Sequence, residues 1–229
     1  MNMPFYVAPE QVMKDRADYA RKGIARGRSL VAFRYDDGIA IVAENTSSTL
    51  RKVSEIYDRI AFAGVGKYNE FDQLRIAGVR HADMKGYAFS REDVDARSLA
   101  NAYAQSLGQV FTHEMKPMEV EILVAEIGID DTGERDQLFH ILYDGTVVDE
   151  DRFVVLGGET DPITERLGSI IEGQIPDLST GIQTAVAALS GPERSLEAGD
   201  LEVAVLSRSN GRRAFRRIEG DELIAALAG

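Results

Sequence analysis

The chain has 229 residues and a formal net charge of −12 at pH 7, and hydrophobic residues make up 44% of it. This length is sufficient for a buried core, and the acidic balance argues against general binding to nucleic-acid phosphates, which needs clustered lysine and arginine. The absence of cysteine excludes disulfides, thiolate metal sites and a cysteine nucleophile. No run of about 18 apolar residues predicts a membrane span, and the first residues lack the pattern of a secretory signal. We therefore expect a cytoplasmic protein that binds neither a membrane nor nucleic acid.

The first 27 residues divide into an arm and a helix. Residues 1–8 are mostly apolar and show no helical period, which predicts a flexible or extended arm. Residues 9–27 have the pattern of a helix, with Pro9 in its first turn and Gly27 as its stop. The apolar residues of this segment share one helical face: Val12, Met13, Ala17, Ala20 and Ile24.

A β-hairpin is predicted directly after this helix. Its first strand runs from Ser29 to Tyr35, the turn is Asp36-Asp37-Gly38, and the second strand runs from Ile39 to Glu44. The segment RIAFAG, residues 59–64, then has the apolar character of a buried strand.

Strands and helices then alternate in pairs. A helix ending near Asp83 is followed by a second one from about Asp93 to Glu114. The buried face of the first is predicted to consist of Phe71, Leu74, Ile76 and Val79. Further strands are predicted at 120–127, 137–143, 153–156, 201–207 and 213–218, and further helices at about 160–171 and 179–190, with a short helix at the end of the chain. Asn210-Gly211 is a type I′ turn signal between the last two strands.

This order of elements favours an α+β fold. Strands pair through hairpins and helices come in adjacent pairs, which is not the βαβ alternation of a doubly wound parallel sheet. Two antiparallel sheets with helix pairs outside them fit the order better. Because no Gly/Ser/Pro-rich linker divides the chain, we interpret residues 1–229 as a single domain.

Several short patterns resemble functional motifs without satisfying their chemistry. AGVGKYNE, residues 63–70, fails as a phosphate-binding loop because Ala61 and Tyr68 replace the required glycine and hydroxyl residue. Two glycines at 157–158 precede a helix, but acidic residues follow them at once and would repel an anion. An arginine-rich hairpin at 208–217 is more typical of a solvated face or subunit contact than of an RNA site in so acidic a protein. The histidines lie far apart and lack metal-site spacing: His81, His113 and His140. We expect no metal and no cofactor.

Ser29 stands at the hairpin position where some hydrolases begin their chain. In such enzymes the free α-amine, with a pKa of about 7.7–8.0, acts as the general base for the first residue. Ser29 instead follows Arg28, whereas self-processing hydrolases usually carry glycine before the nucleophile. Ser29 is therefore a weak candidate nucleophile.

Four segments of the chain carry a resemblance to a known family. They are APEQVMKDRADYARKGIARGRSLVAFRYDDGIAIVAEN at 8–45, RKVSEIYDRIAFAGVGKYNEFDQLR at 51–75, KPMEVEILVAEIG at 116–128 and DRFVVLGGETDPI at 151–163. Together they span essentially the whole chain, and they resemble proteasome α-type subunits of actinobacteria.

The resemblance implies a four-layer αββα sandwich of the N-terminal nucleophile hydrolase class, with the extra N-terminal helix that α subunits keep. It further implies a chain that is not an enzyme by itself, because α subunits lack the N-terminal threonine of the catalytic β subunits. Seven copies would form a homo-heptameric outer ring of a bacterial 20S proteasome, stacked on rings of β subunits. Such a ring takes part in ATP-dependent protein degradation.

Two candidate sites follow from this resemblance. The arm would gate the entry of unfolded protein substrates, and its residues are Met1, Asn2, Met3, Pro4, Phe5, Tyr6, Val7 and Ala8. Lys52 matches the pocket lysine on which the C-termini of a regulatory ring ATPase or other activator dock, and Arg26 would line the same groove.

Two other functions remain open at this point. A stand-alone, self-processing amidohydrolase of the same fold would use Ser29 as its nucleophile, and its mature chain would begin there. An RNA-interaction protein would use the arginine-rich hairpin and would bind RNA in a salt-dependent way.

Overall fold

The chain folds into alternating pairs of strands and helices. The computed structural model describes residues 8–128, 133–171 and 175–228. Within these ranges the elements are α1 (Pro9–Ala25), β1 (Leu30–Tyr35), β2 (Gly38–Glu44), β3 (Val53–Tyr57), β4 (Ile60–Gly66), α2 (Tyr68–Ala88), α3 (Ala96–His113), β5 (Val120–Glu126), β6 (Gln137–Ile141), β7 (Val147–Glu150), β8 (Phe153–Leu156), α4 (Thr160–Ile171), α5 (Leu178–Ser190), β9 (Leu201–Ser207), β10 (Phe215–Ile218) and α6 (Gly220–Ala228).

The strands form two five-stranded antiparallel sheets. The first has the order β10-β9-β2-β1-β8 and the second the order β3-β4-β5-β6-β7. The predicted hairpin is confirmed, with a register that runs from Leu30 opposite Ala43 to Tyr35 opposite Gly38. The central strands β1, β2 and β9 are apolar on both faces because each sheet is covered on both sides.

Three apolar clusters separate the four layers. The cluster between the sheets includes Leu30, Ile41 and Leu123. A second cluster joins α4, α5 and α6 to the outer face of the first sheet, and a third joins α2 and α3 to the outer face of the second. The expected α+β sandwich of two antiparallel sheets between helices is therefore confirmed, with the additional helix α1 before the first strand.

Helix α1 lies across one end of the sandwich. Ala20 and Ile24 are buried in the cluster between the sheets, whereas Val12 and Met13 at the other end of the stripe are 39% and 38% exposed. Arg16 fixes the helix to the end of α3, since its Nη2 donates to the carbonyl oxygens of Val110 at 3.1 Å and Glu114 at 2.5 Å. The predicted apolar face is thus half covered by the chain's own sheets.

Three details of the sequence prediction were wrong or incomplete. The strands β3 and β7 were not predicted, because VSEIY and VVDE mix polar and apolar residues and are only partly buried. Ile76 lies outside the buried face of α2 and is 37% exposed, while Gly78 is buried there. Asn210-Gly211 does not form a type I′ turn, because residues 208–210 form a short 3-10 helix and only Gly211 has a positive φ, of 75°.

No helix in the described ranges combines the length and apolar character that crossing a membrane requires.

Candidate functional site

The end of the sandwich beneath α1 collects charged side chains from several elements. The link from α1 to β1, the end of β2, the residue before β3 and the loops after β8 and α5 all meet there. A cleft of about 630 Å³ opens at this end. Its charged and polar lining includes Arg26, Arg28, Ser29, Glu44 and Arg194.

Ser29 occupies the floor of this cleft as an internal residue. Its side chain is buried, and its Oγ donates a hydrogen bond to the carbonyl oxygen of Gly157 at 2.8 Å. Gly158 must remain glycine here, since its φ is +64° and a Cβ would collide with the Ser29 hydroxyl. The hydroxyl proton thus points at a main-chain carbonyl, which cannot act as a general base. The Ser29 hydroxyl therefore holds two segments of the chain together and is not arranged as a nucleophile.

Lys52 lies one residue before β3, beside the link between α1 and β1. It is half-buried, and its Nζ donates to the carbonyl oxygen of Arg28 at 2.6 Å. Burial lowers the pKa of the Lys52 ammonium to about 8, against the opposing attraction of Glu44 and Glu202, and the nearby Arg28 lowers it further. The lysine is still mostly charged at pH 7, but it is a costly charge for the fold to hold.

Two buried carboxylates flank Lys52. Glu44, at the end of β2, accepts from Arg28 Nη1 and from both Nη atoms of Arg194, at 3.0 and 3.3 Å for the latter. Glu202, in β9, accepts from the main-chain N–H of Lys52 at 2.8 Å and from Arg217 Nη1 at 2.8 Å. These contacts draw three sequence-distant segments of the chain together around one lysine.

The structure therefore brings together part of the predicted site. Lys52 and Arg26 both lie at this end of the sandwich, with the exposed Arg26 lining the cleft and Lys52 bonded to the adjoining Arg28 carbonyl. Residues 1–7 of the predicted arm lie outside the described residues. Ala8 is exposed, and its carbonyl accepts the first hydrogen bonds of α1 from Gln11 and Val12.

Sequence reasoning missed the two buried carboxylates near Lys52. Glu44 and Glu202 end or interrupt apolar strands, GIAIVAE and LEVAVLS, in which every position is buried. A carboxylate in such a run signals a buried ion pair, because an unpaired buried charge is strongly unfavourable. The sequence therefore indicates an ion pair at each of these two glutamates, but it does not identify Arg194 and Arg217 as the pairing residues.

The short patterns that resemble functional motifs lie at identifiable places in the fold. Residues 63–70 form the turn from β4 into α2 rather than a wrapped loop, and Lys67 lies 3.6 Å from Glu70. Within the described ranges no group of three histidine or acidic side chains could hold a metal ion. Most arginines of the hairpin at 208–217 are paired with carboxylates of this chain: Arg208 with Asp136, Arg213 with Glu55, Arg216 with Glu222 and Arg217 with Glu202. Paired arginines leave little free charge for RNA.

Comparisons with known proteins agree with this fold. A family model described as proteasome subunit matches residues 24–205. The chain is 65% identical to "Proteasome subunit alpha" of Acidimicrobium ferrooxidans, over 99% of this chain and 97% of that protein. It is 56% identical to the protein of the same name in Xylanimonas cellulosilytica, over 97% and 95% of the two chains. It is 54% identical to the protein of the same name in Thermobifida fusca, over 99% of this chain and 91% of that protein. The chain therefore belongs to the proteasome subunit family and is an α-type member of it.

Proposed function

We propose that this chain forms the outer homo-heptameric rings of a bacterial 20S proteasome and has no peptidase activity by itself. The observation that carries the proposal is the path of the chain at Ser29. Helix α1 precedes β1 in the chain, so that the hairpin position used by N-terminal nucleophiles is internal, and the hydroxyl of Ser29 donates to the carbonyl oxygen of Gly157. Without a free α-amine at this position, the general base of that chemistry is missing.

The ring would stack on rings of β subunits and control access to their chamber. A ring arises when a heterologous contact between copies repeats until it closes. Residues 1–8 would meet at its axis as the gate, residues 9–27 would form the helix behind them, and residues 28–229 would form the sandwich. We treat these segments as parts of one domain, since a continuous apolar cluster joins α1 to both sheets.

The charged end of the sandwich would dock the C-termini of an activator such as a regulatory ring ATPase. A chain-terminal carboxylate is a group that every polypeptide carries, and the ammonium of Lys52 can recognise it, with Arg26 lining the adjoining cleft. One charge-assisted hydrogen bond contributes roughly 1.5–3 kcal/mol. Several tails binding one ring would together give tight attachment.

The test is native mass spectrometry of the purified chain, alone and mixed with its β partner, with fluorogenic peptide cleavage followed in both samples. We expect a full-length chain that is silent alone and joins a large, peptide-cleaving particle containing seven copies per ring. A chain shortened to Ser29 and active by itself would instead establish the self-processing amidohydrolase. A cytoplasmic location is part of the same proposal and is tested by fractionating cells.

A further inference from the structure

Lys52 has two carboxylates near it, yet neither forms an ion pair with its ammonium. Within the described chain, the one hydrogen bond of its Nζ is to the Arg28 carbonyl oxygen. An ammonium has three N–H donors, so donor capacity is left over. The arrangement of Glu44 and Glu202 explains how this capacity is preserved.

Glu202 is occupied by main-chain and side-chain donors. Its Oε2 accepts from Lys52 N and from Asn45 Nδ2, each at 2.8 Å. Its Oε1 accepts from Val53 N at 3.2 Å and from Arg217 Nη1 at 2.8 Å. Four donors saturate this carboxylate, so that it fixes the backbone of Lys52 and does not compete for the side chain.

Glu44 is occupied by two arginines. Its side chain is only 4% exposed, and Arg28 and Arg194 both donate to its Oε1. Arg194 also donates to Oε2 at 3.3 Å and to the carbonyl oxygen of Leu189 at 2.9 Å. This second bond anchors the guanidinium to the end of α5, so that its orientation toward Glu44 is fixed.

We propose that Arg194 is a positioning residue that holds Glu44 away from Lys52 and so keeps the ammonium available to an incoming carboxylate. Without Arg194, Oε2 of Glu44 would be free to attract the half-buried ammonium of Lys52. Glu44 would then compete with the incoming carboxylate for that ammonium. The inference rests on the proposed docking at Lys52 and extends it to a residue more than 140 positions away in the chain.

The competition can be measured on Lys52 itself. The chain has six lysines, so incorporation of ¹³C-lysine gives few side-chain Cε–Hε resonances and leaves the three N–H donors of each ammonium intact, and the Lys52→Arg variant identifies the resonance from Lys52. The probe is N-acetyl-leucine, which carries a free carboxylate, and N-acetyl-leucinamide is its neutral control. The pKa of Lys52 and the Kd of each probe are read from the same resonance in the full chain.

We expect Arg194→Met to raise the Lys52 pKa by about one pH unit, since a freed carboxylate nearby favours the charged form. The Kd for N-acetyl-leucine should rise about tenfold, which is the factor that one pH unit represents. The double variant Glu44→Gln, Arg194→Met should bring both quantities back to within about twofold of the original chain. If Arg194→Met fails to fold, Arg28→Met can replace it. That variant removes the other arginine bound to Glu44, and it should also raise both the Lys52 pKa and the Kd.

The matched control is Arg216→Met, which breaks the Arg216–Glu222 pair elsewhere on the first sheet and should change neither quantity. An unchanged pKa and Kd in Arg194→Met, or a double variant that restores neither, would overturn the inference. A failure of the docking proposal is distinguishable: there, Lys52→Arg or Lys52→Met would leave stimulation by the activator unchanged, while the response of Lys52 to Arg194→Met would persist.

Discussion

Lys52 is a residue that the fold holds at a cost in stability. Its pKa of about 8 lies below the ordinary value of 10.5, mainly because burial disfavours the ammonium. Between pH 8 and pH 10.5 the unfolded chain binds more protons than the folded one, so the stability of the folded chain rises with pH across this window. Below pH 8 the full cost is present. A lysine that weakens its own fold at neutral pH is consistent with selection for binding.

The first prediction at this scale concerns Lys52→Met. We expect the variant to be more stable than the original chain by about 1 kcal/mol at pH 7, a figure that allows for solvent screening of a half-buried charge. The difference should shrink as the pH rises from 8 and vanish above about 10.5. Urea unfolding at matched protein concentrations and several pH values measures it, and the same variant should lose stimulation by the activator. A variant that is less stable at pH 7 would contradict the burial argument.

At the scale of elements, the packing of α2 against α3 contains an unpaired hydroxyl. Tyr103 is buried on α3, and its Oη has no hydrogen-bond partner among the described residues. Gly78 on α2 makes room for it, because a Cβ at that position would overlap the hydroxyl. The ring itself is well placed, with its centroid 5.9 Å from that of Phe62.

We therefore predict that Tyr103→Phe stabilises the chain by about 1 kcal/mol, since it removes a buried polar group without removing a hydrogen bond. Chemical unfolding measures the change. Tyr87→Phe is the matched control, because Tyr87 is 94% exposed and its hydroxyl faces solvent. A loss of stability in Tyr103→Phe would mean that the hydroxyl has a partner in solution.

Some secondary-structure elements could be predicted from the sequence and others could not. The central strands were identified because both of their faces are apolar, and the long helices because their apolar stripes span several turns. Strands β3 and β7 were missed, since both are only partly buried and their sequences mix polar with apolar residues. Asn210-Gly211 was misleading because Asp37 accepts hydrogen bonds from Ser209, and these side-chain contacts support a 3-10 turn in place of the tight hairpin.

At the scale of the whole molecule, the proposed gate belongs to the assembly and not to one chain. We predict that deleting residues 2–8 increases the degradation rate of an unfolded protein, such as casein, by the assembled particle. Seven apolar arms that met at the axis would obstruct a pore, and arms held there by few backbone hydrogen bonds would be easily displaced. Cleavage of a short peptide should change less, which separates entry from catalysis, and equal casein rates before and after deletion would rule out the gate.

The helices, the buried central strands and the family could be predicted from the sequence, because local periodicity and recognisable segments carry that information. The sequence did not determine which charges meet. Arg194 and Glu44 are 150 positions apart, as are Glu202 and Lys52, and their contacts exist only because the sheets stack and α5 ends beside β2. Periodicity describes neighbours along one element, whereas the pKa of Lys52 depends on burial and on the charges of Glu44, Glu202 and Arg28, which tertiary packing brings together from β2, β9 and the link after α1.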